Sequence, residues 1–203
     1  MSRRDGVLYA KVKCRDGRLV ELPLLFSFKE EEVEEGRVRG GAFSPPGILK
    51  FLKGAPFFFL KDSFGQCLIK ARAVKVWEEG ALIEVVGERF KDKRLFDRFS
   101  FCPEEFGEFE VRRRGERVGK GFIVDASLTG VKVELEGKVR VERGELLTLT
   151  RGTKVIEVEV VRSSEEGGRR VIGGKLLCTN FCVINLVIES YTRVVKELLT
   201  KTP

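Results

Sequence analysis

The chain has 203 residues, a net charge of +7, 42% hydrophobic residues and 34% charged ones. That is enough for one large or two small domains, each with a buried core behind a densely charged surface. It contains no histidine, which removes Ser-His-Asp, Cys-His and His-ligated metal chemistry together.

Residues 1–90 read as a first domain. Val7–Cys14, the corner Arg15-Asp16-Gly17-Arg18 and Leu19–Phe26 have the pattern of strand, Asp-Gly turn, strand. The acidic run Lys29–Gly36 is expected as a solvated loop or short helix. Ser44-Pro45-Pro46-Gly47 is a break, and Ile48–Lys53 predicts one or two helical turns. Phe57–Leu60, Cys67–Trp77 and Ala81–Val86 predict three more strands, with Glu78-Glu79-Gly80 turning between the last two. Short strands at this spacing predict a small barrel or sandwich.

Gly87–Arg98 breaks the strand rhythm, is densely charged, and is expected to be an inter-domain linker, with 91–203 as the second domain. Phe106–Arg112, Gly121–Asp125, Val131–Leu135, Glu145–Thr150, Val155–Val161 and Arg170–Leu177 follow as strands. In Val131–Leu135 the alternation has period two, which predicts one buried and one wet face. A six-stranded antiparallel barrel is the natural closure. Ile184, Val187, Ile188, Tyr191, Val194, Val195 and Leu198 recur at helical spacing, which predicts an amphipathic C-terminal helix packed on the barrel and capped by Thr179 or Asn180. The fold class expected is therefore mainly β, with two small β domains in tandem and a closing helix.

No apolar run approaches the roughly 20 residues of a spanning helix. None follows the first residues in the manner of a signal peptide, so a cytoplasmic location is the default. The basic balance, with a pI near 9.2, favours an anionic partner: a nucleotide, a nucleic acid or an acidic membrane face. A basic surface kept for solubility accounts for the charge equally well. Cys14, Cys67, Cys102, Cys178 and Cys182 are scattered and odd in number, and are expected as reduced, buried small side chains rather than zinc ligands. The chain has a single glutamine, Gln66, and two asparagines, Asn180 and Asn185, a depletion of thermolabile amides found in heat-adapted proteins.

The stretch richest in unexplained polar groups is Asp125-Ala126-Ser127-Leu128-Thr129-Gly130. A hairpin corner needs only Asn-Gly or Asp-Gly, whereas this one carries a carboxylate, a hydroxyl and a glycine. By itself it reads equally as an Asx-type turn satisfying its own backbone or as part of a site. Arg94 and Arg98, four residues apart in the linker, precede Asp125 by the length of one strand, one turn and one returning strand. That span brings the Asp125 corner back beside the linker. A second Arg-x-x-x-Arg run, Arg113 to Arg117, falls in the hairpin turn at the far end of the same strand. Gly115–Gly121 hints at a phosphate loop, but its spacing is wrong and no Ser or Thr follows the lysine. No pair of carboxylates is placed for acid–base catalysis, so an enzyme is not expected.

Arg-x-x-x-Arg entering a small β-barrel, followed after one hairpin by Asp-x-Ser-x-x-Gly, resembles the PilZ family of cyclic di-GMP receptors. Val139–Leu149 is similar to that family's glycine-then-strand segment, and Val171–Leu176 to its last strand. The likeness covers 91–203, and the N-terminal β domain resembles the two-domain flagellar-brake arrangement in order and strand count. The resemblance implies that cyclic di-GMP is the ligand, with no cofactor and no metal. It assigns Arg94 and Arg98 to phosphates and guanine edges, Asp125 to guanine N–H groups and Ser127 to a further polar contact. Gly130 would give the turn its φ and let the ligand approach the backbone, with Lys93 as a weaker phosphate contact. It further implies that ligand binding changes the inter-domain arrangement, and that the output reaches a protein partner in flagellar, pilus or polysaccharide machinery. A monomer or homodimer without membrane insertion is expected. Two other readings stay open: a nucleic-acid-binding β-barrel, motivated by the pI, and a ligand-free PilZ-like protein adaptor.

Overall fold

Short apolar–polar alternations between glycine corners form antiparallel strands throughout the computed structural model, which describes residues 2–34, 36–62, 67–91, 98–137 and 139–200. The first six strands are β1 (Arg3–Lys13), β2 (Leu19–Glu34), β3 (Arg37–Ser44), β4 (Phe58–Lys61), β5 (Leu68–Val76) and β6 (Gly80–Phe90). They close as a barrel in the order β1-β2-β3-β6-β5-β4, with β4 returning to β1. Helix α1 (Ile48–Gly54) intervenes after β3 and buries Ile48 and Leu52 one turn apart. Leu22, Leu24, Phe26, Phe28, Phe58 and Leu60 fill the interior, and Phe28 stacks on Phe43 with ring centroids 5.0 Å apart.

Two expectations fail in this region. Lys29–Glu34 is neither loop nor helix: β2 runs through it and pairs with β3, Glu30 opposite Gly40 and Glu32 opposite Arg39. Cationic neighbours make this strand tolerable, Arg4 Nε standing 2.9 Å from Glu30 Oε1. Gly87–Phe90 is not linker either, because β6 continues to Phe90 opposite Leu68 of β5.

The remaining elements are β7 (Arg98–Ser100), α2 (Pro103–Phe106), β8 (Glu108–Arg113), β9 (Glu116–Ser127), β10 (Gly130–Leu135), β11 (Leu146–Arg151), β12 (Lys154–Glu166), β13 (Arg169–Thr179) and α3 (Val183–Thr200). The ring β8-β9-β10-β13-β12-β11 closes through β11 on β8, giving the second six-stranded antiparallel barrel, and β7 adds to β9 as an edge strand. The hairpin between β12 and β13 turns on Gly167-Gly168, whose φ values of 56° and 76° suit a two-residue turn. That turn pins Glu166 opposite Arg169 and lengthens both strands beyond the apolar runs that mark them in the sequence. Phe109, Val111, Ile123, Val133, Leu149, Ile156, Val158 and Ile172 form the core, and Val187 of α3 packs into it. The expected amphipathic helix is present. Its expected caps are not: Asn180 accepts from Val155 N and donates to Thr153 O, while Thr179 donates to Phe181 O. Strands β3 and β7 and the short α2 have no counterpart in the sequence reading.

The described residues form two compact units. One comprises residues 2–11, 21–91 and 194–200, and the other residues 12–20 and 98–193. The tip of the first hairpin thus belongs to the second unit. There Cys14 and Cys102 are joined by a disulfide across 88 residues of sequence, with Cα atoms 5.4 Å apart. This overturns the expectation of reduced thiols: sequence separation hides a pairing that only folded proximity creates. Cys178 and Cys182 are exposed and Cys67 half-buried, so these are not buried small side chains either. Among the described residues no helix is long and apolar enough to cross a membrane.

Candidate functional site

The corner that joins β9 to β10 stands beside β7. In the β7–β9 ladder Arg98 is opposite Ser127, Phe99 opposite Ala126 and Ser100 opposite Asp125. On its other edge β9 pairs with β10, Asp125 facing Lys132 and Ala126 facing Val131. Arg98 through its backbone, Asp125, Ser127 and Gly130 are therefore brought to one end of the second barrel. Arg94, and Lys93 beside it, lie outside the described residues.

Each group at the corner has a local cause. Ser127 is 7% exposed. Its Oγ accepts from Gly130 N at 3.1 Å and Thr129 N at 3.3 Å, and donates to Gly130 O at 3.1 Å. The hydroxyl closes its own turn, so its first task is to shape the corner. Asp125 is half-buried, and Ser100 Oγ donates to its Oδ2 at 3.3 Å. Gly130 does not occupy the left-handed region expected of it. Its missing side chain is required instead by β13: a Cβ would stand 2.9 Å from the carbonyl oxygen of Gly174. Thr129 O also accepts from Leu176 N at 3.0 Å, which ties the corner to the same strand.

Two positions near the corner escaped the sequence reading. Ser100 reaches the Asp125 carboxylate, and its place two residues after Arg98 was the available signal. Lys175 is exposed and sits opposite Gly130 in the β10–β13 ladder, directly after the glycine pair Gly173-Gly174. Lys132, opposite Asp125, is engaged by Glu166 at 2.8 Å. The second Arg-x-x-x-Arg run serves the barrel itself. Arg113 Nη1 donates to Glu145 Oε1 at 3.1 Å and to Arg140 O at 3.2 Å, and Arg117 stands 3.6 Å from Glu110.

A second polar cluster lies in the same unit. Glu134 of β10 has only 4% of its side chain exposed and is bracketed by Arg18 Nη1 at 2.7 Å and Arg169 Nη1 at 2.6 Å. Asp16 completes it, 2.7 Å from Arg18 and 3.3 Å from Arg169. Burial works to raise the Asp16 carboxyl, but backbone and side-chain hydrogen bonds from Arg18, with the charges of Arg18 and Arg169, hold it below its ordinary value. Arg169 is raised above its ordinary value by its hydrogen bond to Glu134 and by that carboxylate's charge. Beside the cluster is a concavity of about 630 Å³, lined among others by Arg15, Glu104, Phe122 and Gly137. Cys14, Cys102 and Glu104 bring possible ligand atoms within 4.8 Å of one another. The two sulfurs are spent on each other, and a disulfide offers no thiolate to a metal.

Neither a family model nor any curated protein matches the chain. Among solved structures it is similar to YcgR in complex with c-di-GMP from Escherichia coli, at 13% identity and a TM-score of 0.34, over 97% of this chain and 83% of that one. It is also similar to the inhibitor of motility MotI/DgrA of Bacillus subtilis, at 11% identity and a TM-score of 0.36, over 99% of both chains. A third is the MrkH–c-di-GMP complex of K. pneumonia, at 12% identity and a TM-score of 0.33, over 97% of this chain and 87% of that one.

Proposed function

We propose that this protein is a receptor for cyclic di-GMP, with the ligand seated against the β9–β10 corner and the arginine segment 91–98. The observation that carries the reading is the β7–β9 register, Arg98 opposite Ser127 and Ser100 opposite Asp125. It sets the end of the Arg-x-x-x-Arg run against the Asp-x-Ser-x-x-Gly corner. Guanidiniums suit this ligand because they pair bidentately with phosphate and with guanine O6 and N7, and stack on purine faces. Asp125 supplies the complementary acceptor for guanine N–H groups. Ser127 holds the corner in shape, and Gly130 keeps β10 close to β13. The net charge of +7 favours the approach of a dianionic ligand.

The reading is one of binding and signal transmission, not catalysis. Engagement of Arg94 and Arg98 by the ligand is the switch, altering the arrangement of a domain of residues 1–90 and one of residues 91–203. The output is a changed surface for a protein partner in motility, pilus or surface-polysaccharide machinery. Calorimetric titration of the full-length protein with cyclic di-GMP tests this, with GMP as control. Micromolar or tighter binding that is lost in Arg94→Ala/Arg98→Ala is expected. No binding at micromolar ligand, or equal binding by that variant, overturns the reading.

A further inference from the structure

Strand β7 is three residues long and has β9 as its ladder partner. So short an edge strand frays unless something outside the ladder holds it. What holds it lies immediately downstream. Phe101 is 2% exposed, donates its N–H to Val124 O at 2.9 Å, and meets Phe106 edge-on at 4.7 Å between ring centroids. The next residue, Cys102, is bonded to Cys14. The hairpin tip that carries Cys14 is in turn fastened within the same unit by Arg18 to buried Glu134, by Asp16 to Arg169, and by Arg15 N donating to Glu104 Oε1 at 2.8 Å. The covalent bond therefore ends on a fixed point at each side.

We infer that the Cys14–Cys102 disulfide is a positioning device for β7. By fixing the chain two residues beyond Ser100, it keeps Arg98–Ser100 seated against Asp125–Ser127 before any ligand arrives. A site already assembled binds more tightly than one the ligand must assemble, because apparent affinity falls with the fraction of competent protein. Both cysteines are buried, Cys14 at 3% and Cys102 at 5% exposure, so the bond is shielded from thiols and acts as a standing constraint. When a small dithiol does reduce it, the dithiol gives up two electrons and closes to its own disulfide, and Cys14 and Cys102 each gain a proton as thiols. The ligand consequence rests on the corner being a cyclic di-GMP site; the effect on β7 does not.

The test is hydrogen exchange on the ligand-free, full-length protein, comparing the oxidised form, the dithiol-reduced form and Cys14→Ser/Cys102→Ser. Peptides spanning 98–102 are read against the β12 segment 155–161 as an internal reference. Loss of the bond is expected to speed exchange in 98–102 at least about tenfold while 155–161 is unchanged, and to weaken cyclic di-GMP about tenfold by calorimetry. Should the double variant not fold, the reduced wild-type chain supplies the same comparison. Unchanged exchange in 98–102, or equal loss of protection in both segments, overturns the inference, the latter because it marks a purely global staple. Absence of binding by the oxidised protein instead sinks the receptor reading and leaves the exchange result to decide the role of the bond.

Discussion

Arg98 and Ser127 are backbone partners across the β7–β9 ladder, although 29 residues (127 − 98) separate them in the chain. The pairing makes the last residue of a charged run and the hydroxyl of a tight turn neighbours in one sheet. A carboxylate, Asp125, stands two positions before Ser127 on the same strand, where it meets Ser100.

Arg94→Ala and Arg98→Ala are each expected to cost about 1–3 kcal/mol of cyclic di-GMP affinity, the value of one bidentate contact. This corresponds to roughly 5- to 150-fold in Kd. Calorimetry on the single variants measures it, and Arg113→Ala, whose guanidinium is engaged by Glu145, serves as a control that leaves affinity unchanged.

Ser127→Ala removes a hydroxyl that makes three hydrogen bonds within its own corner. A stability loss of about 1–3 kcal/mol is expected, seen as a fall in Tm of about 2–4 °C for each kcal/mol in a chain of this size. Asp125→Asn removes the charge offered to guanine N–H groups and is expected to reduce affinity. Thermal melts and titrations on the two variants separate the shaping residue from the contacting one.

Gly130→Ala sets a methyl group 2.9 Å from the Gly174 carbonyl oxygen, a backbone atom without a rotamer to move. Overpacking of this kind costs about 1–3 kcal/mol. Denaturant unfolding of the variant is expected to show a lower midpoint with an unchanged slope.

Acid should loosen the Asp16–Arg18–Arg169 cluster. The Asp16 carboxyl lies below its ordinary value of 3.8 in the folded state. Its stabilising contribution is therefore complete above that value and is lost as pH falls through the lower folded one. The Tm difference between wild type and Asp16→Asn is expected to be constant from pH 7 to about 5 and to shrink progressively as pH falls through and below the ordinary carboxyl value, which a pH series of melts records.

Much of the architecture was legible because it rests on local pattern. Val131–Leu135 shows its period of two, Asp16-Gly17 its corner, and Ile184 to Leu198 its helical stripe. What was missed depends on partners distant in sequence. The acidic end of β2 is a strand because β3 pairs with it and Arg4 approaches it. Glu134 occupies a wet position by alternation, yet is buried, since Arg18 arrives from 116 residues away. Gly130 reads as a turn glycine but is required by the approach of Gly174.

The strand rhythm, the closing helix and the two halves of the Arg-x-x-x-Arg and Asp-x-Ser-x-x-Gly pattern are legible in the chain because each is written within a few neighbouring residues. Only the folded arrangement shows that the Ser127 hydroxyl closes its own corner, that Ser100 reaches Asp125, that Glu134 is buried between arginines and that Cys14 is joined to Cys102. Those are long-range or geometric facts. A hydrogen bond or a disulfide forms only between atoms brought within a few ångströms, and linear spacing does not encode that distance.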